Sequence, residues 1–247
     1  MSSLQGTTAV VTGGSQGIGA GIVRKLAEQG AAVLFNYNSN KEPAEKLVEE
    51  LEANGSRAIT VKADVTDGDE LDAMFETAAR HFGKIDTLVN NAGIFKFSPI
   101  EDLTHEHLLE LYGTNVFAPI FAIKAALKIF NDGGSIINIG SIAATLAPPN
   151  AIGYSSSKNA LHGVTKVLSK ELAPRSITVN QINPGSIRTE GTKEAGVDEE
   201  VEKGLIETIP LGRIGFPEDV AGLVAFLASS EAKWITGEII KVSGGAR

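Results

Sequence analysis

No cysteine occurs among the 247 residues. Disulfides, thiolate metal sites and a cysteine nucleophile are thereby excluded, and a reducing compartment suits the chain. Histidine is scarce as well: His81, His105, His107 and His162 form no cluster beyond the pair two apart, and no HExxH is present, so no metal centre is expected. Basic residues are in deficit, with 22 Lys and Arg against 30 Asp and Glu for a net charge of −8, a poor footprint for nucleic acid. Also missing is any apolar run near the roughly 18 residues of a membrane span. The N-terminal MSSLQGTTAVVTGG has no basic segment leading into a long apolar stretch. A cytoplasmic protein with neither nucleic-acid nor membrane partners is the expectation.

What remains is an ordinary globular composition, 43% hydrophobic and 21% charged, at a length that permits one large α/β domain or two small ones. Strand-length apolar runs recur at 8–12, 31–37, 57–63, 85–91, 134–140, 177–183 and 238–244. Between them, segments 17–29, 41–53, 67–82, 104–130, 152–172 and 217–229 space apolar residues by three and four, the helical period. Such runs alternating with helices predict parallel strands buried on both faces, because each right-handed crossover lays a helix on the sheet. The expected fold is a doubly wound α/β sheet of about seven strands with helices on both faces. No linker, repeat or low-complexity tract cuts the chain, so residues 1–247 read as one domain.

The first run leads into TGGSQGIGAGIVRKLAEQG, where Gly13, Gly17 and Gly19 mark a turn that becomes an amphipathic helix. A strand, a glycine turn and a helix N-terminus offer backbone N–H groups and a positive dipole end to a pyrophosphate. The spacing is GxxxGxG rather than GxGxxG, and a purely structural turn is the alternative. The second run ends FNYNSN, with Tyr37 where an acid would hold a ribose 2′-hydroxyl, followed by Asn38 and Ser39. A carboxylate there would repel a 2′-phosphate, whereas amide and hydroxyl groups can donate to one. NADP(H) is favoured on that ground; Gln16 and the lack of a nearby arginine leave NAD(H) open.

In PPNAIGYSSSKNALHG, Tyr154 and Lys158 stand four apart at a helix start. That spacing puts phenol and ammonium on one face, able to approach each other or a shared ligand. A neighbouring ammonium favours the phenolate and lowers a pKa that is ordinarily about 10. The alternative is a packed tyrosine beside a solvated lysine.

Six motifs then agree in order and spacing with one family: TGGSQGIG at 12–19, NNAG at 90–93, Asn115 in GTNVF, Ser141 in NIGSIA, YSSSK at 154–158 and NPGSIRT at 183–189. Over essentially its whole length the chain resembles the classical short-chain dehydrogenase/reductases. The resemblance implies a Rossmann-type fold and an active site of Ser141, Tyr154, Lys158 and Asn115. In it, Tyr154 protonates a carbonyl oxygen as hydride arrives from the nicotinamide, and removes the alcohol proton in reverse. Ser141 holds the same oxygen, Lys158 also binds the nicotinamide ribose, and Asn115 holds a proton-relaying water. Taken singly, Ser141 could merely end its strand and Asn115 merely cap or bend its helix.

The same resemblance places Asp64 and Val65 at the adenine, Asn90 and Ala92 along the ribose with Gly93 giving room, and Pro184, Ile187 and Thr189 at the carboxamide. Ser15, Gln16, Ile18, Asn91 and Gly185, inside the same motifs, are counted with the cofactor site. For Asp64 a helix N-cap is the alternative, one that Thr66 or Asp67 would fill equally well.

Substrate choice is assigned to Phe95, Leu146, Asn150 and Ile152 beside Ser141, and to a lid around 190–210, for which an ordinary surface helix is the alternative. The chain is similar to 3-oxoacyl-[acyl carrier protein] reductases and glucose dehydrogenase-like members. Arg175 matches a carrier-docking arginine, but Asn131 and Asp132 depart from the basic landing site that an acidic carrier needs. A stand-alone carbonyl reductase acting on small ketones or secondary alcohols is therefore the leading expectation, with carrier-protein reduction as the alternative. A catalytically idle NADP(H)-binding regulator is a third, against which the intact Ser, Tyr, Lys and Asn set speaks. The family's usual homotetramer implies that helices 104–130 and 152–172 pair across one interface and WITGEIIKVSGG across another.

Overall fold

The computed structural model describes residues 3–194 and 196–246. Of the expected 1–247 domain, Met1, Ser2, Ala195 in the 190–210 segment and Arg247 lie outside the described residues. Seven strands form one sheet: β1 (Thr8–Val11), β2 (Ala32–Tyr37), β3 (Ala58–Lys62), β4 (Ile85–Asn90), β5 (Phe130–Ile139), β6 (Thr178–Pro184) and β7 (Ile239–Val242). They lie side by side in the order β3-β2-β1-β4-β5-β6-β7, and every neighbouring pair is parallel.

The helices are α1 (Gly17–Glu28), α2 (Lys41–Ala53), α3 (Gly68–Phe82), α4 (His105–Tyr112), α5 (Ala118–Ala126), α6 (Ala143–Leu146), α7 (Ile152–Glu171), α8 (Glu190–Glu194), α9 (Glu199–Glu207) and α10 (Pro217–Ala228). Strand side chains alternate between two buried layers, as a period of two requires. Ala9, Val11, Val33, Phe35, Ile137 and Ile139 pack in one cluster with α1, α2 and α10. Val10, Leu34, Leu88 and Ile136 face the other with α3 and α5. Burial on both faces is why these runs read as continuously apolar.

One expected element is corrected. The helical pattern across 104–130 is broken: α4 ends at Tyr112, Gly113–Phe117 form a π-helical turn, α5 ends at Ala126, and β5 already begins at Phe130. Pro119 has no N–H to give the carbonyl of Asn115 four residues earlier, which favours the wider turn there. β5 starts early because Phe130 pairs with Ile85 while Ser135 pairs with Thr87, a bulge that absorbs the surplus residues.

A row of buried polar side chains docks α7 on the sheet. Asn90, Asn138 and Gln181 are register partners on three adjacent strands, and all are at most 2% exposed. Asn90 donates to Asn138 Oδ1 at 2.9 Å, Asn138 donates to Thr165 Oγ1 of α7 at 3.0 Å, and Thr165 donates to Gln181 Oε1 at 3.3 Å. Buried polar groups hydrogen-bonded in such a row fix a single docking register where apolar contacts would allow sliding, although Asn90 Oδ1 has no partner among the described residues. On its other flank α7 meets α4 closely, since a Cβ at Gly153 would lie 2.7 Å from Leu111.

Candidate active site

Where β1 meets α1, the chain makes a turn that only small residues fit. Gly13 and Gly17 take positive φ, 62° and 52°, and a Cβ on Gly19 would stand 2.1 Å from the Gly13 carbonyl oxygen. Two residues not anticipated from sequence set this turn. Asn36 Oδ1 accepts from Gly13 N at 2.9 Å, and Thr12 Oγ1 accepts from Asn91 N and Ala92 N, both at 3.0 Å. Asn91 in turn donates to the Thr12 and Gly13 carbonyls. A polar residue inside the otherwise apolar AVLFNY strand was the available signal for Asn36. Gln16 supplies no side-chain cap to α1, so the first-turn N–H groups face the turn as an anion cradle.

From this turn a cleft of about 770 Å³ runs across the C-terminal ends of the strands, where β1 and β4 are neighbours although non-consecutive in sequence. Crevices at such a switch point are where doubly wound sheets bind ligands. Gly13, Gln16, Gly17, Ile18, Gly19, Asn38, Asp64, Val65, Asn91, Ala92 and Gly93 line one part. Ser141, Tyr154, Lys158, Pro184, Gly185, Ile187 and Thr189 line the other, with Phe95.

Several expected residues stay out of it. Tyr37 packs in the core cluster of α1 and α2, while its neighbours Asn36 and Asn38 line the cleft, because successive strand side chains face opposite ways. Ser15 and Ser39 do not line it either. Asn90 is buried in the polar row instead of lying along the cleft. Leu146 and Ile152 are exposed beside it. Asn150 adopts φ 63° and uses its carbonyl to accept from Ser98 N at 2.7 Å, shaping a loop. Asp67 is the α3 N-cap, accepting from Asp69 N and Glu70 N. That leaves Asp64 at the cleft, its carboxyl held below the usual range by hydrogen bonds from the Thr66 hydroxyl and N–H, and from Asn38.

Tyr154 and Lys158 sit on the first turns of α7, facing Ser141 at the end of β5. Burial pushes the Tyr154 phenol up, and a hydrogen bond with Ser141 opposes that only in part. Ser141 Oγ accepts from Ala143 N at 3.1 Å, which leaves its own proton for the phenol oxygen. Lys158 is 5% exposed and donates to the Ile139 carbonyl at 3.1 Å; burial lowers its pKa to about 8. The expected lowering of the phenol by the ammonium is therefore not what the pair exhibits. Desolvation drives each toward its neutral form, so at neutral pH Tyr154 is a protonated phenol, poised as an acid.

Asn115, in the π-helical turn, is fully buried and does not line the cleft. Its Oδ1 accepts from Ile94 N, and its Nδ2 donates to the Ile94 carbonyl and to Ser157 Oγ, at 2.9, 2.9 and 3.0 Å. Both amide hydrogens are thus engaged within the protein, and the group pins the loop after β4. Gly93 has no side chain where Asn115 Oδ1 and Lys158 Nζ converge, each 3.0 Å from the point a Cβ would occupy.

A glycine-built anion cradle at a strand-order switch, continuous with a Ser-Tyr-Lys cluster whose serine and tyrosine are half-buried and whose lysine is buried, defines a nicotinamide-dinucleotide-dependent oxidoreductase. Residues 13–247 match the model of a family described as Enoyl-(Acyl carrier protein) reductase. An uncharacterized oxidoreductase of Methylorubrum extorquens is 48% identical, with all of both chains covered. The structure of a short-chain dehydrogenase/reductase from Serratia marcescens matches with a TM-score of 0.94 at 40% identity, covering 98% of each chain. That of the angucycline C-6 ketoreductase LanV with bound NADP matches with a TM-score of 0.93 at 37% identity, covering 99% of this chain and 96% of that one. The chain belongs to the short-chain dehydrogenase/reductase family.

Proposed function

We propose that this protein is an NADP(H)-preferring carbonyl reductase that interconverts ketones and secondary alcohols. The observation that carries the reading is that Tyr154, Ser141 and Lys158 line one cleft together with the glycine turn. The cofactor supplies the hydride when bound, and the glycine turn, where no side chain caps the first N–H groups of α1, fits its pyrophosphate. Tyr154 gives its proton to the carbonyl oxygen, Ser141 donates a hydrogen bond to the same atom, and Lys158 holds positive charge beside the phenol as it ionises. Asn115 acts by fixing the Ile94 peptide and Ser157. NADPH oxidation assayed against a panel of ketones and one acyl thioester tests the reading. Saturable nucleotide binding without turnover of any member would overturn it in favour of an idle regulator.

Carrier-protein reduction is disfavoured by the fate of Arg175. Its Nε donates to Asp132 and its Nη2 to the Phe130 carbonyl, each at 2.7 Å, so the guanidinium is held by its own chain. Coenzyme choice is placed on Asn38 and Gln16, which line the adenosine end as uncharged donors, in keeping with the NADP bound to LanV. Asn38→Asp should shift the kcat/KM ratio from NADPH toward NADH by about 100-fold, because a new carboxylate accepts from ribose hydroxyls and repels the phosphate. An unchanged ratio in steady-state assays would remove Asn38 from that role.

The segment 190–210 is proposed as a cover over the cleft. It folds as α8 and α9, and α9 has no buried residue; Arg188 beside the cleft donates to Glu202 of α9 at 2.9 Å. Assembly as a homotetramer is supported by Phe117, Ile120, Phe121 and Val167, exposed on the face of α5 and α7, and by Trp234, which is 100% exposed near β7. Light scattering should give four times the chain mass of 25.9 kDa; the mass of a single chain would refute it.

A further inference from the structure

The loop after β4 reads Phe95-Lys96-Phe97, and the two phenyls stand on one side of the chain with the ammonium engaged elsewhere. Lys96 Nζ bonds both carboxylate oxygens of Glu110 on α4, at 2.6 and 2.5 Å. Asn115 grips the start of this loop through Ile94, and Ser98 N donates to the Asn150 carbonyl at its end. So held, the Phe95 ring lies 6.3 Å and the Phe97 ring 6.0 Å from the Tyr154 ring, both near edge-to-face, and 6.4 Å from each other. The phenyls are nevertheless 39% and 56% exposed. Apolar surface kept in water next to a proton-donating phenol gains by accepting a flat apolar partner. Charge at the same mouth selects further. Apart from Lys158, the charged residues lining the cleft among the described residues are the carboxylates Asp64, Glu110 and Glu190, of which Glu110 is paired with Lys96.

We infer that Phe95 and Phe97 are specificity-determining residues that seat an uncharged aryl ketone, its ring packed on the two phenyls and its carbonyl on Tyr154. This rests on the carbonyl-reductase reading above. The test compares kcat/KM for 1-tetralone and butan-2-one with NADPH, in the wild type and in Phe97→Leu, which keeps apolar bulk and removes the ring. The tetralone-to-butanone ratio should fall by about 10-fold, the effect of losing one ring-to-ring contact together with its apolar area. A ratio unchanged within error, or one that rises, overturns the proposal. Binding of 1-naphthol to the NADPH-loaded protein, followed by saturation-transfer NMR, separates this inference from the reading it rests on. Contacts that weaken about 10-fold in Phe97→Leu support the aryl seat even where no ketone turns over, and equal binding by both proteins sinks it while leaving carbonyl reduction intact.

Discussion

Tyr154→Phe should lower kcat for ketone reduction by about 10²- to 10⁴-fold, the span that a positioned general acid contributes. The substitution removes one oxygen and keeps the ring that packs edge-on against Phe95 and Phe97, so the fold and the coenzyme cradle stay as they are. NADPH affinity, read by fluorescence titration, should therefore be nearly unchanged while turnover collapses. The pH dependence follows from the raised phenol pKa. Reduction needs the protonated phenol, which burial favours, together with the charged Lys158, so its rate should be flat at neutral pH and decline above about pH 8, where the ammonium titrates. Alcohol oxidation needs the phenolate and should rise over that same range. Near-normal reduction by the phenylalanine variant would remove Tyr154 from proton transfer altogether.

The sequence was most legible where a period or a spacing is dictated by backbone geometry. Runs of consecutive apolar residues, such as AVLF at the start of β2, required a sheet covered twice, and the two core clusters divide those strands by alternate residues. The four-residue spacing of Tyr154 and Lys158 and the glycine positions at 13, 17 and 19 are likewise local facts, and they carry directly into the cleft. What did not carry was side-chain direction at strand ends and in loops. Tyr37 faces the core because of strand parity, and Leu146, Asn150 and Ile152 belong to a chain reversal in which Ala147 and Asn150 take positive φ. Nor could spacing disclose desolvation. The four-residue spacing points to the ammonium, whereas burial acts on both groups and drives each toward its neutral form. The 104–130 pattern failed for a covalent reason, the missing N–H of Pro119, which a reading by apolar period passes over.

Lys158 carries the clearest conflict between stability and activity, and Lys158→Met should expose it. The ammonium is buried with a backbone carbonyl as its hydrogen-bond acceptor, and its pKa falls from 10.5 to about 8. Between those values the unfolded chain binds more protons than the folded one, so stability rises with pH across that window; below about pH 8 the burial penalty is present in full. That penalty corresponds to about 3 kcal/mol, against which the lost hydrogen bond from the charged ammonium to Ile139 returns about 2. The coenzyme-free methionine variant should thus be more stable than the wild type by about 1 kcal/mol at pH 7, with a higher Tm, and the advantage should fade toward pH 10.5. Turnover should move the opposite way, falling by about 10²- to 10³-fold as the cation beside the ionising phenol is lost. Denaturant titrations at pH 7 and pH 10 read the first effect and steady-state kinetics the second. A variant less stable at pH 7 would mean that the ammonium is better solvated than its burial implies, and with it would go the argument that Lys158 is kept, at a cost to folding, for the charge it brings to Tyr154.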